Sequence, residues 1–277
     1  MLSALADWIS SNYVTVVIGS FLLIVLLETL APGRAPQQSV VLRWWRNFSI
    51  GFTSQLVTAG LGFILAAVVS FDLDATSGGL LALSELPAGF TFLLTLLILD
   101  GCQWGFHKAM HSFDWCWRIH QVHHCDGDFD VSTAWRFHPA EALLSQLMLI
   151  ALVMVVGIGP EVLLLRGALA YLMNFFTHAN ARLPEGLDYA LRYAIVTPAM
   201  HRIHHSREPD DQHSNFGSIF SFWDRAFRSY RKRSCGDPLV PVGLDSHEHP
   251  ETLGAWRLLR MPFDFPSRSD ARLTAHP

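Results

Sequence analysis

Charge is scarce in this chain. Only 16% of its 277 residues are Asp, Glu, Lys or Arg, against about 25% in an average soluble domain. A well-solvated surface over most of the chain is therefore excluded. Cysteine is equally sparse: Cys102, Cys116, Cys125 and Cys235 form no CxxC pair. Neither a zinc ribbon nor a disulfide framework is expected, and the thiols read as scattered and reduced. No basic n-region precedes the first apolar stretch, so that stretch is expected to be a retained helix rather than a cleaved signal. GxGxxG and P-loop motifs are absent, which leaves no support for a dinucleotide or nucleoside triphosphate site. HExxH is absent too, which argues against a zinc protease with a carboxylate base between its ligands. Net charge is −4 and no basic stripe is interleaved with aromatics, so nucleic-acid binding is not expected.

What fills the chain instead is apolar sequence, 51% of it. Residues 48–71 run 24 positions without a charge and 142–159 another 18; roughly 20 apolar residues span a bilayer core. Residues 13–27, ending near Glu28, are a third candidate. Residues 86–99 are a fourth, extending to Phe106 if Asp100 sits near the interface. Residues 162–177 are a fifth, with Arg166 close enough to one end to snorkel. The runs 142–159 and 162–177 are expected to form a hairpin turning at Gly157–Pro160. The fold class expected is all-α: an integral membrane protein of four to five spans with a cytoplasmic helical cap carrying a histidine cluster.

Loop charge gives the orientation. The connection 31–47 carries Arg34, Arg43 and Arg46 and no acid, whereas 72–85 carries Asp72, Asp74 and Glu85 and no base. Positive loops stay inside, which puts the N-terminus outside and every histidine-bearing stretch on the cytoplasmic face of what is expected to be a bacterial inner membrane. Trp44, Trp45, Trp104, Trp115 and Trp117 fall at expected interfaces. One membrane domain is the simplest division: membrane helices over 1–100, a histidine-rich region over 101–230, and a polar tail over 231–277.

Ten of the fourteen histidines lie between positions 107 and 205. His107 and His111 are four apart in HKAMH. His120, His123 and His124 read HQVHH, and His201, His204 and His205 repeat the HxxHH pattern in HRIHH. On a helix, positions i, i+3 and i+4 share a face. The i+3 and i+4 rings of HxxHH straddle that face and can reach two different ions, with the i ring supporting one of them. So many converging imidazoles exceed what one tetrahedral ion can use, and two metals sharing one site is the economical reading. His178 ends the fifth span in NFFTHAN. His138 precedes a proline at the start of the 142–159 span and is expected to order the site from behind the ligands or to cap that helix. Asp100 shares the face of His107 about 10 Å away, too far to hold that ring but able to hold one on another helix. Asn215 and Trp223–Asp224 are expected to pack beneath the last cluster. His213, His247, His249 and His276 fit no pattern and read as surface residues. Imidazole suits zinc, copper, iron and nickel alike, so ligand type alone names no metal.

The set HKAMH, HQVHH, RFHPAE, FFTHAN and HRIHHS, followed by NFG and WDRAF, resembles the fatty acid hydroxylase/sterol desaturase superfamily over roughly residues 95–230. Within that superfamily it looks most like the bacterial sterol-desaturase-type branch, which is similar to alkylglycerol monooxygenase. The resemblance implies a di-iron centre that uses O2 to oxidise C–H bonds of membrane lipids. It implies His107, His111, His120, His123, His124, His178, His201, His204 and His205 as ligands, with Asp100, His138, Asn174, Asn180 and Asn215 behind them. The chain departs from the family at Asn174, where some hydroxylases place a further histidine. Each turnover needs two electrons, yet no flavin motif, haem-binding extension or Fe–S cysteine set is present. A separate reductase, ferredoxin-like or cytochrome-like donor is implied. The rival reading is a metal transporter or storage protein, but transporters place polar ligands near the midplane of their spans, and here the ligands cluster at one edge.

Overall fold

A computed structural model of the chain describes residues 2–71, 79–80, 86–232, 240–244 and 254–264. Most of the acidic connection 72–85, together with Cys235, His247, His249 and His276, lies outside the described residues. Among the described residues the regular structure is helical, with isolated bridges only, such as Pro32 to Ala181.

Five long helices build the body: α1 (Leu2–Leu30), α2 (Val40–Phe71), α3 (Ala88–Ser112), α5 (Pro139–Val156) and α6 (Pro160–Thr177). Between α3 and α5 come α4 (Asp114–His124) and a 3-10 turn (Val131–Trp135); after α6 come α7 (Glu185–Leu191), α8 (Pro198–His204), α9 (Pro209–Gln212), α10 (Phe222–Ala226) and α11 (Ala255–Asp264). The punctuation is local chemistry. His138 caps α5 by accepting the Ala140 amide, and Pro139 follows at a position where no amide is needed. Gly157 ends α5 at φ 75°, which an L side chain resists. Pro160 then opens α6, so the hairpin turns where the sequence places it.

Among the described residues three helices are long and apolar enough to cross a membrane: Ser3–Leu30, Ala88–Ser112 and Pro139–Val156. The charge-free run 48–71 lies on α2 and the run 162–177 on α6. Val14, Ile18, Leu22 and Leu26 on α1, and Phe52, Leu56 and Phe63 on α2, are exposed, as a lipid-facing surface requires. The chain is an integral membrane protein. Inside, Leu99 of α3 packs with Val153 and Val156 of α5 and with Ile158 of the following turn, while Ile24, Val131, Ala134 and Phe175 join α1 and α6 to the 3-10 turn. Gly51 permits a close approach: a methyl there would lie 2.6 Å from the Trp135 carbonyl.

Two expectations are corrected. Trp104 and Trp117 are interior, not interfacial: Trp104 donates to Asp224 and Trp117 packs against His111 and His124. Arg166 lines an internal cavity with its Nε fully covered, rather than reaching for the helix end. The tail also contributes more than polarity. Leu258 and Met261 of α11 are buried against Ile50, Val122 and Cys125.

A buried polar clamp fixes the segment after α4. Arg43 on α2 donates to Asp126 (3.0 Å), to the Asp128 carbonyl (3.1 Å) and to Asp130. Asn47 donates to Asp126 and Ser132, and Arg136 donates to Asn47, to the Val122 carbonyl and to Cys125 Sγ. Arg43 therefore contributes buried pairing rather than free positive charge. The clamp ties the connection carrying Arg34, Arg43 and Arg46 to the end of the histidine-bearing α4, so both lie on one side of the helix bundle.

Candidate metal centre

Each histidine cluster comes to the site from the end of a helix, two of them long (α3 and α6) and two short (α4 and α8). His107 and His111 occupy the last two turns of α3. Extended backbone at Phe113 (φ −103°, ψ 131°) breaks that helix and lets α4 begin on a new axis. His120, His123 and His124 then fall in the final turn of α4. His178 is the residue that ends α6. Thr197 caps α8 by accepting the Met200 amide, Pro198 opens it, and His201, His204 and His205 follow at once.

All nine rings meet. One group is His107, His111, His120, His124 and His204; the other is His123, His178, His201 and His205. Within each group the ligand nitrogens lie within 4.8 Å of one another. Two imidazole nitrogens on opposite sides of one first-row ion, with bonds of about 2.1 Å, lie about 4.2 Å apart, so each group is sized for an ion. The HxxHH motifs divide as helical spacing requires. In each, the i and i+4 rings serve one group and the i+3 ring the other, and the second motif is assigned in reverse of the first.

Proton positions make the case for cations. Nδ1 of His107 faces the Phe216 carbonyl (2.9 Å), Nδ1 of His123 the Arg136 carbonyl (3.3 Å), and Nδ1 of His178 the Asn174 carbonyl (2.8 Å). His204 Nδ1 faces the Ser214 carbonyl (2.7 Å), and His120 Nδ1 faces the Glu141 carboxylate (2.8 Å). A carbonyl only accepts, so in each case Nδ1 donates and Nε2 is left as a lone pair. Those lone pairs then confront one another: His107 and His120 Nε2 at 3.2 Å, and His123 and His178 Nε2 at 3.1 Å. His204 Nε2 and both nitrogens of His124 are buried without a hydrogen-bond partner among the described residues. Facing lone pairs in a dry interior are costly unless a cation lies between them. Burial first, then mutual repulsion, holds His123, His124, His201 and His205 well below the ordinary histidine range, and burial and His107 do the same for His204. Burial lowers His178 to about 4. These six rings are neutral at pH 7, the state that ligates. The residues present fit a pair of metal ions.

None of the five residues expected behind the ligands orients an imidazole with its side chain. Asp100 accepts the amides of Ile219 and Phe220 and the indole of Trp223, each at 3.0 Å, and so pins the loop after the last cluster. His138 caps α5, and its Nε2 meets the Leu259 carbonyl. Asn180 bonds to the Arg34 carbonyl and to Arg202, bracing the end of α1. Asn215, at φ 54°, ties Met200 to Arg231. Asn174 donates to the Ala134 carbonyl and holds His178 through its backbone alone. Glu141 is the orienting carboxylate that spacing arguments missed. Its signal was a lone acid in RFHPAE beside an otherwise charge-free run. Phe129, which stacks on His178, and Phe137, which stacks on His123, complete the walls. His213 is exposed, its ring centroid 6.0 Å from that of His111.

Glu141→Ala is expected to retain the fold and to weaken metal retention or turnover by about 10–100-fold, the usual cost of losing a carboxylate behind a ligand histidine. Glu141→Gln keeps an acceptor and should lose less. Metal analysis of the purified variants, with equal content in Glu141→Ala and wild type, would refute an orienting role.

The fold and the twin cluster define a class: all-helical membrane proteins that hold metal with histidines carried at helix ends on one side of the bundle. Residues 92–229 match the fatty acid hydroxylase family, and the chain belongs to that superfamily. It is 27% identical to the alkylglycerol monooxygenase of Caenorhabditis elegans over 60% of this chain and 32% of that protein. It is 30% identical to the Danio rerio alkylglycerol monooxygenase over 54% of this chain and 33% of that protein. With the ornithine lipid hydroxylase OlsE of Rhizobium tropici it shares 27% identity over 75% of this chain and 63% of the relative. The chain thus spans about a third of the monooxygenases it matches. No solved structure matches it.

Proposed function

We propose that the protein is a membrane-bound di-iron oxygenase that uses O2 and external electrons to hydroxylate or desaturate a C–H bond of a lipid of the fatty acyl, sterol or isoprenoid, or ether-linked class. The observation that carries this is the meeting of nine imidazoles, in two groups each sized for a metal ion, at the mouth of a cavity of about 430 Å³ between the membrane helices. That volume lies within the range of small-molecule sites. The names of the relatives, a monooxygenase and a hydroxylase, support oxidation, and the ornithine lipid hydroxylase supports a lipid substrate.

Two iron ions would be held by His107, His111, His120, His124 and His204 on one side and by His123, His178, His201 and His205 on the other. When bound, the iron pair supplies activation of O2 and oxidation of the substrate. The chain's own groups do the rest. Carbonyls of Phe216, Arg136, Asn174 and Ser214 and the Glu141 carboxylate fix the tautomers of His107, His123, His178, His204 and His120, so these five rings need no rearrangement to receive metal. Five of the rings, His107, His120, His123, His178 and His201, also line the cavity. Trp135, Phe137, Leu149 and Phe175 give it apolar walls that suit a hydrocarbon chain and exclude water. The site sits on the side of the bundle that carries Arg34 and Arg46, which supports a cytoplasmic face and access to a soluble electron donor. The whole chain is read as one membrane domain.

The test is lipid analysis of a strain lacking the gene against one complemented with it, alongside iron measurement on the purified protein. A hydroxylated or unsaturated lipid present only in the complemented strain is the expected result. Unchanged lipids, with metal uptake into protein-bearing vesicles, would overturn the reading in favour of transport.

A further inference from the structure

The cavity has a second end that the metal chemistry does not use. It follows one face of α6 from Arg166 through Ala170, Tyr171 and Asn174 to His178, a distance of 12 residues or roughly 18 Å along the helix. At the far end stands Arg166, its Nε fully covered. Among the described residues Arg166 makes no hydrogen bond or ion pair. Tyr13 of α1 lines the same end: a methyl on Gly167 would lie 3.1 Å from its hydroxyl, so that hydroxyl sits beside the residue that follows Arg166. The Tyr13 hydroxyl is also without a hydrogen bond among the described residues.

A guanidinium inside a membrane bundle is expensive and marks a site unless it is paired. Asp100 faces the same cavity, but both of its oxygens are taken by the Ile219 and Phe220 amides and the Trp223 indole, and it forms no ion pair with Arg166. Glu141 belongs to the other end, on His120. Tyr171 is bonded to Gln55 (3.3 Å). The unmet capacity at this end is therefore a planar fork of donors with positive charge, next to one hydroxyl. That combination matches an anionic oxygen group.

We propose that Arg166 and Tyr13 form an anchoring subsite for the carboxylate or phosphate of a lipid whose hydrocarbon chain runs along α6 toward the histidines. Binding at this subsite needs no metal; only the choice of reacting carbon rests on the oxygenase reading. The anchor fixes how far down the chain oxidation falls, so Arg166 is a positioning residue.

The test is native mass spectrometry of the full chain in detergent micelles with palmitate, hexadecyl phosphate or 1-hexadecanol at equal concentration. Wild type should retain one or both anions in preference to the alcohol, and which anion is retained identifies the source. Arg166→Gln should lower anion retention about tenfold or more, in line with the loss of a charged hydrogen bond, with alcohol retention and iron content unchanged. Tyr13→Phe, which removes one donor and no volume, should lower it by a smaller factor. Retention of the alcohol equal to both anions in wild type, or anion retention unchanged in both variants, overturns the proposal. Loss of anion retention in a protein that oxidises no lipid would leave the anchor standing and remove the oxygenase instead.

Discussion

His204→Ala is expected to abolish lipid oxidation and to lower the iron bound per chain. The ring is fully buried, its Nδ1 is committed to the Ser214 carbonyl, and its Nε2 points unpartnered into the five-ring group. Losing a carboxylate that merely orients a ligand costs about 10–100-fold; losing the ligand itself should cost more. His107, His111, His120 and His124 remain, so the five-ring group keeps four nitrogens and some affinity, while the four-ring group is untouched. Iron should therefore fall toward half, and turnover, which needs both ions, should vanish. The fold should survive, because removing one ring relieves crowding among inward lone pairs. Metal analysis and a lipid oxidation assay check both halves. His249→Ala, at a position outside every histidine pattern, should change neither. Full activity in His204→Ala would refute the ligand assignment.

Much of this site was legible because its information is periodic. HxxHH written twice specifies two helix faces, and the structure assigns the i and i+4 rings of each motif to the same group, as a 3.6-residue turn demands. The turn at Gly157 was legible for a similar reason: left-handed backbone asks for glycine, and a helix start accepts proline. What stayed hidden is what periodicity does not encode. The groups that hold His107, His123, His178 and His204 are backbone carbonyls, which every residue carries and no motif marks. Asp100 was placed correctly on the face of His107, yet its partners lie about 120 residues further on, in a loop that reaches it only through the tertiary fold. Trp104 and Trp117 read as interface anchors because amphipathic rings are common there; burial against the histidine helices overrode that preference. Arg166 was assigned to the helix end by the same habit. A cavity created by seven helices is a property of none of them singly.

Arg43→Met is expected to destabilise the protein by about 3–5 kcal/mol, the cost of stranding a buried charge. Arg43 is 1% exposed and answers Asp126 and Asp130 at once. Without it, two carboxylates stay buried with only neutral donors and the more distant Arg136 to offset them. The pH dependence has a definite sign. Burial alone would raise the Asp126 carboxyl, but Arg43, Arg136 and hydrogen bonds from Asn47 and Thr133 outweigh it and hold it below its ordinary value of 3.8. A depressed carboxyl contributes stability that is complete above that ordinary value and is lost as pH falls through the lower, folded one. In Arg43→Met the largest lowering influence is gone, so acid unfolding should begin at a higher pH than in wild type. Adding Asp126→Asn to Arg43→Met should recover part of the loss, since a neutral amide needs no counter-charge, and the two changes should be strongly non-additive. Thermal unfolding of the detergent-solubilised variants across pH 3–7 measures all three effects. The clamp also fixes the end of α4, so the same destabilisation should loosen His123 and His124 and release iron before the helices themselves melt. Iron retained up to the unfolding midpoint in Arg43→Met would separate the clamp from the metal centre and refute that coupling.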